Sequence, residues 1–390
     1  MDDKTRLGIL RVLYTTIFFT STGLGTCTFL LPVYAETFGA TYSDLGLMGA
    51  IGNVVYTVIT LVCGYTLDRY EKIKLYAGFT VFGAVIMILF LIANNLTELI
   101  LVRGLLGLAS ASFWVSASTL TAEISPISEV TKSLGRYNLA WILGFTIGPY
   151  MGGIISNKYG YDVFFLASSG IIILSVLLII SKIYGKIKLS RVISQEKAKL
   201  TELKKLSLSY LTLLPFTMVL GIYMAIIPGH MKVIGLSTSL IGLILTITNG
   251  VRGIAFLNVE RFVNWSTWRG IFMASIFLAI SMYLVSLGKD AVSFAVPLVF
   301  YGIGSGIMTP VVLDFISKRT PQKLRGTAMG VHEGVYGVGM FFGPLIGGAI
   351  ADKYSPMSLY STLVVVSLII IPFGFLMTHN LKIKNYQYTS

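Results

Sequence analysis

Long apolar runs recur along this chain, each close to the roughly 20 residues that a helix needs to cross the hydrocarbon core of a bilayer. Twelve are read, at 10–33, 42–67, 74–94, 97–121, 134–156, 161–183, 208–231, 238–258, 268–288, 291–315, 326–350 and 357–379. Inside lipid every backbone amide must find its partner within the segment, so runs of this length are helices. The expectation is an all-α membrane protein of twelve transmembrane helices. The first run is too long for a signal-peptide core and lacks a small-residue cleavage site before the next span, so it is read as an uncleaved helix. Only 12% of the 390 residues are charged, against roughly 25% in a soluble domain.

Lysine and arginine set the orientation. With the N-terminus inside, 24 of the 30 basic residues fall on the cytoplasmic side. Four lie outside, Lys158, Lys232, Lys289 and Lys353, and two, Arg103 and Arg252, lie within spans. This bias predicts an integral plasma (inner) membrane protein with both termini in the cytoplasm. The net charge of +13 is then a topology signature, and no nucleic-acid partner is expected. The polar stretch 184–207 separates 1–183 from 208–390 as a cytoplasmic linker. Its basic residues, among them Lys186, Lys188 and Arg191, suit a solvated tether or a segment lying on anionic lipid.

The two halves repeat. At an interval of 195 residues, Gly144, Gly148, Pro149, Gly152 and Gly153 correspond to Gly339, Gly343, Pro344, Gly347 and Gly348. The same interval pairs Gly107 with Gly302, Pro126 with Pro321 and Gly135 with Gly330. Two pseudo-symmetric six-helix bundles suit a protein that rocks one half against the other around a central site. Glycines every four residues share a helix face and admit a neighbouring backbone, and the proline favours a bend. Plain close packing accounts for the same pattern.

Other chemistry finds no support. Cys27 and Cys63 lie in apolar runs and the three histidines are scattered, so neither a disulfide framework nor a metal site is expected. No Gly-x-x-x-x-Gly-Lys-Ser/Thr sequence occurs, which argues against ATP-driven transport. No embedded catalytic cluster appears, so the chain is read as a non-enzyme without cofactor.

Three stretches together resemble the major facilitator superfamily across essentially the whole chain. After the second span stands Gly64-Tyr-Thr-Leu-Asp68-Arg69-Tyr-Glu71-Lys72, similar to the family's cytoplasmic loop motif, with Glu71 in place of its second glycine. The fourth span holds Arg103-Gly-Leu-Leu-Gly107, and the fifth carries the Gly144–Gly153 pattern, similar to that of efflux antiporters. The resemblance implies a monomeric secondary transporter working by alternating access around a midplane cavity, with helices 1, 4, 7 and 10 contacting substrate. It further implies that Asp68 and its basic neighbours latch one state. The leading expectation is a proton-coupled exporter of drugs or metabolites. A uniporter or exchanger of an organic anion or sugar-like metabolite is the alternative, and a non-transporting receptor of the same fold is the reading from another class.

Charges inside spans single out residues, because each costs about 2.5–3.5 kcal/mol at the bilayer centre unless it meets a cavity or a partner. Arg252 and Glu333 are expected to pair, with Glu333 as the coupling carboxylate and His332 as its proton partner. Arg103 either snorkels to the outer face or, with Arg252, clamps an anionic substrate. The first span holds no acid between Arg11 and Glu36, where the resemblance implies one in many proton-driven exporters. This weakens proton antiport and makes a uniporter or an anion exchanger more credible. Tyr14, Thr22, Trp114, Ser118, Tyr223, Tyr301 and Thr309 are read as possible cavity lining. Partners are thus a small-molecule substrate, protons and membrane lipids.

Overall fold

The computed structural model describes residues 3–126, 129–185, 204–259, 266–320 and 324–379. Most of the linker (186–203) and the Glu260-Arg261 pair after the eighth span lie outside the described residues. Among the described residues the chain is helical and contains no strand.

Four helices come first: α1 (Asp3–Ala35), α2 (Tyr42–Arg69), α3 (Lys72–Leu89) and α4 (Leu96–Ile124). The next, Val130–Lys182, has 53 residues, about 80 Å at 1.5 Å per residue and more than twice a hydrocarbon core. It breaks at Gly160, whose φ of 84° and ψ of 173° only glycine adopts readily. We label its parts α5 (130–159) and α6 (161–182). A loop was expected at this joint, and one glycine serves instead. The seventh crossing, α7, runs Ser207–Ala225 and resumes past Ile226 as Ile227–Val233. The rest are α8 (Thr238–Leu257), α9 (Thr267–Ser286), α10 (Ala291–Lys318), α11 (Arg325–Lys353) and α12 (Pro356–His379). Among the described residues, eleven continuous helical segments are long and apolar enough to cross a membrane, and the one divided at Gly160 is long enough to cross twice.

The outer surface of these helices is apolar. Leu61, Leu177, Ile254 and Val292 are all more than half exposed, as lipid-facing side chains are. Small polar residues go inward and satisfy themselves locally. Thr121 and Ser116, both fully buried, donate to carbonyls four residues back on α4.

The chain forms two compact units. One comprises Met1–Ala40, Ile51–Ser194 and Ser237–Thr246, and the other Thr41–Ala50, Gln195–Leu236 and Ile247–Ser390. The start of α8 therefore belongs with the first unit and the start of α2 with the second.

Candidate functional site

In the first unit Gly144, Gly148 and Gly152 lie against α1. A Cβ at Gly144 would sit 2.7 Å from the Phe18 carbonyl oxygen, and one at Gly148 2.7 Å from that of Thr22. Only the missing side chains allow backbones this close. Pro149 has no N–H to donate, which leaves the α5 ladder one bond short. Hydroxyls bond the backbone around it. Thr26 Oγ1 shares its proton between the carbonyls of Thr22 (2.7 Å) and Gly148 (3.0 Å). From α8, Thr246 Oγ1 accepts from the Tyr150 N–H (3.1 Å) and donates to the Thr146 carbonyl (2.7 Å). In an unbroken helix Tyr150 would donate to Thr146 directly. The Thr246 hydroxyl is thus spliced into the ladder one residue beyond the proline. Ser239 Oγ adds a bond to the Gly153 carbonyl at 3.1 Å.

The second unit repeats the backbone contacts. Cβ atoms at Gly339, Gly343 and Gly347 would lie 2.8 Å from the Leu214 carbonyl oxygen, 2.6 Å from Met218 Cα and 2.8 Å from Ile222 Cδ1, all on α7. Gly348 faces the start of α2, 3.0 Å from Ser43 Cα by the same measure. There the Asp352 carboxylate accepts from the N–H groups of Tyr42 (3.0 Å) and Ser43 (2.7 Å), satisfying two orphan donors of the α2 N-terminus.

Of the loop motif, Lys72 is the first residue of α3, where the helix dipole disfavours a cation. It is buried and paired with Glu123 at the end of α4. The side chains of Asp68 and Arg69, and the surroundings of Gly64, lie outside the described residues. Near the end of α10 Asp314 pairs with Lys318 at 2.8 Å. Just beyond, Arg319 lies over the Phe315 ring at 3.8 Å, where burial lowers its pKa and the Asp314 charge opposes that shift.

The embedded charges differ from expectation. Arg103 packs against α2, where a Cβ on Gly52 would lie 2.9 Å from Arg103 Nη2, and its charge is felt by Cys27 of α1. It is held among helices rather than snorkelling. Arg252 does not pair with Glu333. Its guanidinium lies in the electrostatic neighbourhood of Tyr336, Tyr301 and Tyr223. The Glu333 side chain is 46% exposed and turned to His332, Oε1 to Nδ1 at 3.3 Å. The buried His332 Nε2 has no hydrogen-bond partner among the described residues. Tyr336 stands three residues beyond Glu333, close to one helical turn, and takes the place expected for the carboxylate.

Several residues read as cavity lining belong to packing. Thr22 is 2% exposed beneath Gly144 and Gly148, and its hydroxyl donates to the Phe18 carbonyl at 2.8 Å. Tyr223 and Tyr301 are fully buried and stacked on each other, centroids 4.2 Å apart. Trp114 lies edge-on to Trp141 (6.2 Å) and near Phe145 (5.8 Å). Tyr14, Ser118 and Thr309 are of intermediate exposure, the last two bonded within their own helices. Sequence reading passed over Asn249, Tyr336 and Thr246. Asn249 accepts the Tyr223 hydroxyl at 3.2 Å. It precedes Arg252 by three residues, a same-face spacing on a helix that could have flagged it. Thr246 carried no comparable signal.

The model of the Major Facilitator Superfamily matches residues 13–344. An uncharacterised MFS-type transporter of Methanocaldococcus jannaschii is 24% identical over 92% of this chain and 95% of its own length. Quinolone resistance protein NorA of Staphylococcus aureus is 24% identical over 90% of this chain and 91% of its own. Among solved structures, the nucleoside transporter NupG matches with a TM-score of 0.81 at 12% identity, covering 94% of this chain and 99% of that one. A bacterial homologue of the human lysosomal transporter Spinster gives 0.79 at 14% identity, with both chains fully covered. The solved structures speak for the fold.

Proposed function

The chain belongs to the Major Facilitator Superfamily, and on that premise we propose that it is a proton-coupled exporter of a drug-like molecule or metabolite working by alternating access. The observation that carries the reading is the pair of glycine-proline helices, α5 and α11. Each lies backbone to backbone on α1 or α7 along one side and on the start of α8 or α2 along the other. Smooth contacts of this kind let helices slide without unlocking side chains. Full-length similarity to a quinolone resistance protein supports export over uptake. Coupling is assigned to Glu333, an acid in a span, well exposed and bonded to His332. Two bundles, 1–183 and 208–390, would rock about the 184–207 linker. Both termini would face the cytoplasm of the plasma membrane.

Purified protein in liposomes loaded with a pH dye tests this, challenged with lipophilic cations, organic anions and sugars. A substrate-dependent pH change in wild type, lost in Glu333→Gln, is the expected result. Substrate flux without a pH change in either protein would sink the coupling. Cysteine labelling at Lys289 and in the N-terminal tail from opposite sides of intact cells checks the orientation. The second reading, transport of an organic anion, is favoured by one observation: Arg252 lacks a carboxylate partner among the described residues.

A further inference from the structure

A guanidinium inside a span is costly to leave unneutralised, and a carboxylate usually answers it. Around Arg252 the second unit supplies hydroxyls instead. Gly306 of α10 abuts the Arg252 carbonyl, Tyr223 reaches α8 one turn earlier at Asn249, and Tyr336, Tyr301 and Tyr223 lie close enough to feel the arginine's charge. The nearest acid on α11, Glu333, is turned to His332. Hydroxyl dipoles offset part of the cation's cost and none of its charge.

The rest of the cluster is ordered in a way that packing alone does not require. Tyr223 is fixed from behind by Asn249, and Tyr301 is stacked on Tyr223. The Tyr301 hydroxyl, fully buried, makes no well-formed hydrogen bond, Ser305 being its nearest candidate. An unmade bond at a buried hydroxyl costs about 1–3 kcal/mol. A phenylalanine would avoid that cost at the same volume. Arg252 itself keeps intermediate exposure, as does Tyr336, so a ligand can reach the charged end of the cluster.

We propose that Arg252, Tyr336 and Tyr301 form the carboxylate subsite of the transported molecule, which is a small organic monocarboxylate. This rests on the transporter reading above and names its substrate class. A carboxylate accepts two parallel bonds from the guanidinium fork, a geometry that a lysine ammonium cannot supply. Its second oxygen gives the Tyr301 hydroxyl the acceptor it lacks. Glu333 stays with His332 and does not compete for the guanidinium.

The test is equilibrium binding to the purified full chain in nanodiscs, by isothermal titration in a buffer free of carboxylates. The probes are benzoate, its neutral isostere benzamide, benzylammonium and inorganic phosphate. Benzoate binding with no benzamide or benzylammonium signal is expected. Arg252→Lys should weaken benzoate at least tenfold. Tyr301→Phe should weaken it about three- to tenfold while leaving thermal stability equal or higher, since an unsatisfied hydroxyl is removed. That split separates a ligand contact from a structural role, and it stands even if the arginine variant fails to fold. Benzamide binding as well as benzoate, phosphate outcompeting benzoate, no benzoate binding to wild type, or unchanged affinity in Tyr301→Phe would each overturn the proposal. Because binding needs no turnover, these failures are separate from a failure of the liposome assay.

Discussion

Helices α5 and α11 carry the same four glycines and the same proline 195 residues apart, yet different partners hold the backbone around that proline. Around Pro149, α5 is held in mid-helix by hydroxyls from Thr26, Ser239 and Thr246. At the same interval Thr26 corresponds to Gly221 and Thr246 to Ile51, so α11 has neither hydroxyl beside Pro344. Gly221 instead abuts the Pro344 ring, where a Cβ would meet Pro344 Cδ at 2.8 Å. The polar hold moves to the helix end, where Asp352 grips the start of α2; its counterpart in the first half is Asn157. The ionisable groups divide in the same direction. Arg252, Glu333 and Tyr336 correspond to Thr57, Asn138 and Trp141, the last two joined by a neutral hydrogen bond of 3.0 Å. The duplicated halves thus share what fixes backbone distance and differ in what carries charge. Glycine positions answer to geometry common to both halves, whereas side-chain chemistry answers to each half's own task.

If the glycine frame is common, it must fail equally in both halves. Gly148→Leu and Gly343→Leu should each cost about 3 kcal/mol, read as a lowered midpoint of thermal unfolding in detergent, because new atoms would meet backbone. A large difference between them would break the comparison at its base. The end clamp should matter on one side only. Asp352→Asn is expected to lose about 1–2 kcal/mol, and Asn157→Ala close to nothing, by the same measurement. Smaller still is the hydroxyl splice. Thr246→Val should cost about 1 kcal/mol and speed amide hydrogen exchange at Tyr150, with no change at Leu345. Faster exchange at both would mean that the two proline sites are coupled rather than separately held.

The smallest effect concerns helix starts. Asn95 caps α4 through the Glu98 N–H at 3.0 Å, and at the corresponding position Asp290 caps α10 through the Ser293 N–H at 2.9 Å. The Ser293 backbone N–H and hydroxyl hold the Asp290 carboxyl below its ordinary pKa. A lowered folded-state pKa gives stability that is present above the unfolded value, about 3.9, and is lost as pH falls through the folded one. Exchange at the Ser293 N–H should therefore quicken below about pH 4 relative to the Glu98 N–H of α4, whose acceptor, the Asn95 amide oxygen, does not titrate. Equal behaviour of the two turns would remove the distinction.

Much of this was legible in the sequence, and the illegible part has a common cause. Apolar length located every crossing, because lipid leaves the backbone no alternative to helix. The Gly-Pro repeat located both close backbone contacts. The pairing of Arg252 with Glu333 named the right two helices and missed by one turn. A helix rotates about 100° per residue, so facing residues depend on rotations that apolar length does not encode. The burial of Thr22, Tyr223 and Tyr301 was hidden for the same reason. Hydropathy also gave no warning that Gly160 alone would join α5 to α6, since a short polar loop and a helix end read alike there.

That joint limits how α5 can move. Two torsions at one residue are the whole freedom between two membrane crossings, with no slack chain to absorb a displacement. A tilt of α5 is either taken up by φ and ψ of Gly160 or delivered to α6 as a lever delivers it, at the same instant and in a fixed direction. Because φ is 84°, no other amino acid can occupy that pivot without strain.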